Sequence, residues 1–376
     1  MSYRDNTNQK RFSVFIGIIL IAAMLMSTLV PLMSNMNQTA AIPPTVVPTV
    51  APPPPISDLT SIAFDRTYLH PTGLFSVKMP TGWLATNSTS TTNEAQMTMG
   101  NSSQLSVIEV RLLKPTTPVT TTAEVGQIFT EDWLKASWRE YESWDESLRT
   151  VEGDNVRIDF SLSRQGQNFV ARQIAHVEGD WVYITRVVAP ENASPMVAHL
   201  VTETDKTVEL QPLVSDVPLE WASYSDGTWQ HLIRFPAAWQ NVDGSAGVPA
   251  SFDSPQGVLR VEAIDGKTIA NADEASAFAT STRSNLKVED VKPVTQAGVE
   301  GFQVAYTVTN LEGETESGAM VLLNAADEKL HVANLRLSTA ASVNLNDDTA
   351  AAPYAESLQV LNSFVVYAGQ DITISQ

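Results

Sequence analysis

The sequence predicts an α+β protein of two tandem domains, each an antiparallel β-sheet with two packed helices, after one N-terminal transmembrane helix. Three observations predict it. A strand motif ending in Pro-x-x-Trp occurs twice, 156 residues apart. Each copy is followed by the same order of alternating and helix-periodic segments. A run of 21 uncharged, mostly apolar residues stands near the start of the chain.

The composition bounds the function. The chain has 376 residues, with 23 Lys+Arg against 42 Asp+Glu, a formal charge of -19. That length predicts about two domains. The acidity argues against nucleic acid as a partner, since such binders carry a basic stripe. Cysteine is absent, which excludes disulfides, thiol nucleophiles, cysteine-ligated zinc, iron–sulfur clusters and a lipidated cysteine. Hydrophobic residues make up 43% and charged residues 17%, enough apolar material for a real core.

Residues 1–12 read as a cytoplasmic tail and Ser13–Met33 (SVFIGIILIAAMLMSTLVPLM) as the membrane anchor. As a helix this run spans roughly 30 Å, the thickness of the hydrocarbon layer. Arg4, Lys10 and Arg11 precede it and no charge follows until Asp58. The positive-inside tendency then keeps the N-terminus in the cytoplasm and places the rest outside. A cleaved signal peptide is the alternative, with Thr39-Ala40-Ala41 as a weak cleavage site. The apolar run is longer than a signal core, which favours the anchor.

Residues 34–58 form a proline-rich linker with seven prolines and no aromatic residue. Such a chain extends at about 3.1 Å per residue, holding the folded part up to roughly 75 Å from the bilayer. The first domain is expected over 59–212 and the second over 219–370.

In the first copy, GLFSVKMPTGW ends at Trp83; in the second, WQHLIRFPAAW ends at Trp239. Phe75, Val77 and Met79 match His231, Ile233 and Phe235 at period two, a strand with one buried face stopped by proline. Strands follow at Leu105–Leu113 and Val258–Ile264, then helices at Thr122–Trp144 and Ala272–Leu286. Val156–Leu162 and Phe302–Val308 alternate as strands, and Gln165-Gly166 and Glu312-Gly313 mark hairpin turns. Phe169–Val177, Gly318–Leu323, Trp181–Val188 and Leu330–Leu337 complete the strands. Helices at Ser194–Thr204 and Pro353–Phe364 close the halves, giving β-β-β-α-β-β-β-α twice. An antiparallel sheet with helices packed on it accommodates that order.

A strand reading Phe-x-Val-x-x-Pro-x-Gly-Trp, followed by a meander and two helices, resembles the PsbP-like and Mog-like α/β/α sandwich superfamily. The resemblance rests on Phe75, Val77, Pro80, Gly82 and Trp83, and in the second copy on Ile233, Pro236 and Trp239, with Ala238 where the glycine would be. It covers about residues 61–212 and 219–370. It implies protein binding, assembly or accessory work rather than catalysis. It transfers no functional residue, because the matching positions are core positions.

The remaining chemistry is sparse. Histidine occurs at 70, 176, 199, 231 and 331, with no helical i, i+4 pair and no H-E-x-x-H. There is no G-x-S-x-G elbow and no phosphate-cradling glycine loop. Asn344–Asp348 lacks the glycine and distal glutamate of a calcium loop and reads as a solvated loop. Sequons at Asn37, Asn87, Asn101 and Asn192 are as frequent as chance gives in a Ser/Thr-rich chain. No catalytic residue, cofactor or metal ligand is expected.

The aromatic segment EDWLKASWREYESW carries the sharper signal. Read as a helix, it puts Leu134, Trp138 and Tyr141 on one face and Trp133 and Trp144 on a neighbouring stripe. The first stripe suffices to pack on a sheet. Trp133 and Trp144 are the candidate partner-binding residues, since exposed tryptophan marks interaction hot spots. The second copy has Phe278 and otherwise small residues in this place.

Together these features predict a non-enzymatic, single-pass membrane protein. The membrane is one partner, through 13–33, and a protein outside the cytoplasm is the other. An extracytoplasmic small-ligand or cation-binding sensor is the competing reading.

Overall fold

The structure, a computed structural model, describes residues 58–211, 217–243, 245–310, 312–369 and 372–374. The expected tail, the anchor at 13–33, nearly all of the linker and most of the connection between the halves lie outside the described residues. Among the described residues, no helix is long and apolar enough to cross a membrane. All of them belong to one compact unit.

The first half runs β1 (Phe64–Leu69), β2 (Phe75–Pro80), β3 (Leu84–Ser90), β4 (Glu94–Asn101), β5 (Ser106–Leu113), α1 (Thr122–Ile128), α2 (Glu131–Ser137), β6 (Ser143–Glu152), β7 (Asn155–Arg164), β8 (Gln167–Glu178), β9 (Trp181–Pro190), α3 (Ser194–Asp205) and β10 (Glu209–Leu210). The second runs β11 (Ala222–Asp226), β12 (His231–Phe235), β13 (Gln240–Asp243), β14 (Ala250–Ser254), β15 (Gly257–Asp265), α4 (Ala272–Thr282), β16 (Leu286–Gln296), β17 (Val299–Thr309), β18 (Thr315–Asn324), β19 (Lys329–Leu337), α5 (Asp348–Ala351), α6 (Ala355–Asn362), β20 (Val365–Val366) and β21 (Ile372–Ile374).

Each half builds a seven-stranded antiparallel sheet, ordered β3-β4-β5-β9-β8-β7-β6 and β13-β14-β15-β19-β18-β17-β16. The α+β class and the doubled antiparallel sheet are therefore as the sequence predicts. Hydrophobic alternation buries both faces. On the first sheet, Met97, Met99, Ile108, Val110 and Leu112 pack against β2 and α3. Val156, Ile158, Phe160 and Ile184 face the other way, against residues of α1 and α2. The second sheet repeats this, with Leu259, Val261 and Leu335 against β12 and α6, and Val304, Val308 and Val332 against α4. The Gln165-Gly166 turn closes β7 onto β8 with positive φ at both residues, 53° and 72°, the twist a two-residue hairpin needs.

The Pro-x-x-Trp strands differ from expectation: β2 is buried on both faces except at Lys78, and β12 throughout. Each belongs to a small second sheet, β10-β2-β1-β21 or β11-β12-β20, which leaves little of the strand to solvent. The Trp83 amide donates to the Pro80 carbonyl over Gly82, whose φ is +81°. Trp239 makes the same bond to Pro236 over Ala238, without a positive φ.

The helix expected over Thr122–Trp144 is a correction. Helix α1 stops at Ile128, and the Thr130 hydroxyl accepts from the Trp133 amide to cap a separate α2, which ends at Ser137. Arg149 Nη1 and Nη2 take the Gly126 and Phe129 carbonyls at the break. Trp144 lies on strand β6, paired with Leu162 of β7. Pairing along β7 overrides the helix propensity of this charged stretch. Edge strands β3, β6, β13 and β16 and the short β1 and β11 extend the expected strand count. Helix α4 ends at Thr282 rather than Leu286, and Pro353 sits in a single turn before α6.

The halves are also tied to each other. Strand β21 adds in parallel to β1, and Leu69, Leu232, Val365 and Tyr367 form one apolar cluster. Arg234, fully buried, donates from Nη1 to the Thr72 carbonyl and from Nη2 to those of Pro218, Leu219 and Trp221.

Candidate functional site

Helix α1 covers β7 and β8, and α2 extends toward β5, where Trp133 reaches Arg111, leaving a groove between α2 and strands β4 and β5. Polar residues alternate along the open strands: Glu94, Gln96 and Thr98 on β4, and Glu109 and Arg111 on β5. Arg186 is the one charged residue in the fully buried ten-residue strand β9. It stands opposite Glu109 on one side and Gln173 of β8 on the other.

These residues form a network. Arg186 donates from Nη2 and Nε to Gln173 Oε1 at 2.6 and 3.1 Å, and its Nη1 lies 3.4 Å from Glu109 Oε1. Arg111 Nε reaches Glu109 Oε1 at 2.7 Å and its Nη1 reaches Glu94 at 3.2 Å. Gln96 donates to the second Glu109 oxygen at 2.9 Å. Helix α2 supplies the roof. The Arg186 guanidinium lies 4.2 Å from the Trp138 ring centre, and those of Arg111 and Arg186 each lie 5.4 Å from that of Trp133. Such contacts strengthen as water is excluded. With Tyr141, Arg139 and Arg164 at the rim, these groups line a groove of about 630 Å³.

The electrostatics suit recognition. Burial works to raise the Glu109 carboxyl, but Arg186 and Arg111 outweigh it and hold it below its usual range. Burial works against the Arg111 charge, and Glu109 and Glu94 overcome it, so Arg111 is raised. Arg186 is different: burial outweighs Glu109 and pulls the guanidinium down to about 10. Two buried donors, Trp138 Nε1 and Gln173 Nε2, have no hydrogen-bond partner. The lining residues include no histidine. The groove can hold and orient a ligand.

Of the two tryptophans singled out from sequence, Trp133 lines the groove, half-buried, with its ring edge-to-face on Phe129. Trp144 is not brought beside it and instead meets Phe160 at 6.5 Å, over the core of β7. Sequence reasoning missed Glu109, Arg111, Gln173 and Arg186. The signal for Glu109 and Arg111 was a charge at alternate positions of the otherwise apolar strand β5; Gln173 and Arg186 carried no such pattern.

The structure also places residues read as ordinary. His231 and His331, 100 positions apart, meet in the second core with Nδ1 atoms 3.3 Å apart. Asp347, in the loop discounted as a calcium site, caps α5 by accepting from the Thr349 and Ala350 amides. Among the described residues, no three His, Asp or Glu side chains are grouped to hold a metal ion.

No protein-family model matches the chain. No curated protein matches it either. Among solved structures, it is similar to a cyanobacterial PsbP from Synechocystis at 15% identity, covering 39% of this chain and 93% of that one, with a TM-score of 0.28. It is also similar to the immunity protein TplEi of a T6SS from Pseudomonas aeruginosa in complex with "L" peptide, at 10% identity over 80% of this chain and 97% of that one, TM-score 0.23. The Tle4–Tli4 complex matches at 11% identity over 82% and 98%, TM-score 0.24. Identities and scores this low leave the functional reading to the residues of this chain.

Proposed function

We propose that this chain is a non-catalytic binding module with two PsbP-like halves, held outside the cytoplasm by an anchor at 13–33 and a proline-rich spacer, and that the first half binds a protein partner in its groove. The observation that carries the reading is Trp133, partly exposed beside the guanidinium groups of Arg111 and Arg186. Tryptophan and arginine together are what interface hot spots are made of. The acidic surface elsewhere, part of a net charge of -19, disfavours anionic lipid and leaves the groove as the contact point.

Affinity capture of the full-length protein from mild-detergent membranes tests it. A partner retained in near-stoichiometric amount by the wild type and lost on Trp133→Ala, with an unchanged circular-dichroism spectrum, is expected. Equal retention by both proteins would sink the reading. A second reading, a small-ligand binder, is favoured by the groove's volume of about 630 Å³, within the usual range of small-molecule sites. It predicts no captured partner and a ligand-dependent rise in melting temperature.

A further inference from the structure

We propose that the groove of the first half takes a carboxylate, which enters beside Arg186 and Arg111 at the floor and meets the indole N–H of Trp138. This rests on the reading of the groove as the binding site and names the chemistry of what enters it.

The floor has donors in excess. Glu109 is fully engaged, with one oxygen on Arg111 and the other on Gln96. Arg186 spends two N–H groups on a single oxygen of Gln173, and its Nη1 reaches Glu109 only at 3.4 Å. Trp138, 2% exposed and part of the groove wall, has an indole N–H with no acceptor. Buried donors cost free energy until they are met. Arg186, 3% exposed, also shares its carboxylate partner, since the same Glu109 oxygen lies closer to Arg111, at 2.7 Å, than to Arg186, at 3.4 Å. An entering acid supplies both the acceptor and the charge.

The charge count selects the kind of anion. The groove is lined by four arginines, at 111, 139, 164 and 186, against Glu94, Glu109 and Glu140. That leaves one positive charge, which neutralises a monoanion and leaves the second charge of a phosphate uncompensated. The planar guanidinium fork also matches a carboxylate edge. On so acidic a chain, a net positive groove favours the approach of an acid.

Calorimetric titration of the full-length protein in mild detergent tests it with four probes. These are an end-blocked Val-Glu-Val peptide, its Val-Gln-Val twin, free propionate and inorganic phosphate. The acidic peptide should bind at least about tenfold tighter than its amide twin and tighter than phosphate. Arg111→Gln and, at the rim, Arg164→Gln should each erode that preference with the fold unchanged. Binding by the peptide far above propionate assigns a peptide-borne acid; equal binding assigns a free one. Equal affinity for the acid and amide peptides, preference for phosphate, or no binding by any probe overturns the proposal. Partner capture that still depends on Trp133 would leave the binding-module reading standing in that event.

Discussion

In the first half, Arg186 of β9 stands between Glu109 of β5 and Gln173 of β8. In the second, Asn334 of β19 stands between Arg260 of β15 and Met320 of β18. The strand order is the same, yet the chemistry of that face differs. Tyr306 hydrogen-bonds Asn334 at 2.6 Å, and its ring lies over Gly318, where an added Cβ would come within 2.2 Å of it. In the first half Phe160, opposite Ala171, leaves the polar trio to tryptophan. Arg260 pairs with Glu262 while itself half-exposed, at 52%. Inward positions of the seven-stranded sheets are fixed by packing and are mostly apolar in both halves, with buried His331 an exception. The polar alternates are released from packing and diverge, and the site is grafted where they do.

The largest asymmetry lies in the Pro-x-x-Trp strands. Position 78 is an exposed lysine, and its counterpart 156 residues on is Arg234, which binds four backbone carbonyls. Arg234→Ala leaves those carbonyls buried without donors and should lower the unfolding free energy by about 3–4 kcal/mol in urea titration. Lys78→Ala should stay within about 0.5 kcal/mol. Equal losses would mean that Arg234 does not clamp the halves.

The polar trios give the next contrast. Glu109→Gln keeps the shape but strips the buried Arg186 of its countercharge, an expected loss of about 3 kcal/mol. Asn334→Ala removes one hydrogen bond and should cost about 1 kcal/mol. Denaturant midpoints of the two variants decide it, and equal costs would deny that the first half alone holds a charged network.

How far this was readable follows from the same division. Strict alternation in VRIDFSL and FQVAYTV announces strands with one apolar face, so the central sheets were legible. The β3 and β6 edges were not, because a strand paired on one side and wet on the other carries no apolar period; β6 even holds a tryptophan at helical spacing from Trp133. Trp133 stood out by its type. Arg186 did not, because only the β8-β9-β5 order, set by contacts about 75 residues apart in sequence, brings Glu109 and Gln173 to it.

Acid should separate the halves further. His231 takes the place of Phe75 in the repeat and lies against Trp229, Tyr224 and Phe364. Burial, then the neighbouring His331, pushes it from 6.5 down to about 3, against the pull of Asp226 and Asp327. Folded, it stays neutral where the unfolded chain would already bind a proton. Its contribution is therefore complete above pH 6.5 and is lost toward pH 3, at up to about 1.4 kcal/mol per pH unit. His231→Phe should flatten the fall of melting temperature with pH by that share. The first half keeps its own slope from His70, lowered to about 4 by burial. An unchanged slope in His231→Phe would assign the acid sensitivity elsewhere.

The smallest effect belongs where the halves should agree. Thr121 and Glu124 form a reciprocal capping box on α1, each bonding the backbone of the other. Asn271 and Glu274 make a related cap on α4: the Asn271 side chain accepts from the Glu274 amide, and Glu274 accepts from the Ala270 amide and the Asn271 side-chain amide. Both caps sit at the surface and answer to the same orphan amides of a helix start. Thr121→Ala and Asn271→Ala should therefore each cost about 1 kcal/mol and differ by less than about 0.5 kcal/mol in urea midpoints. A much larger loss at Thr121 would place the start of α1 under the control of the groove network, and the divergence of the halves would then reach the frame of the fold as well as its polar face.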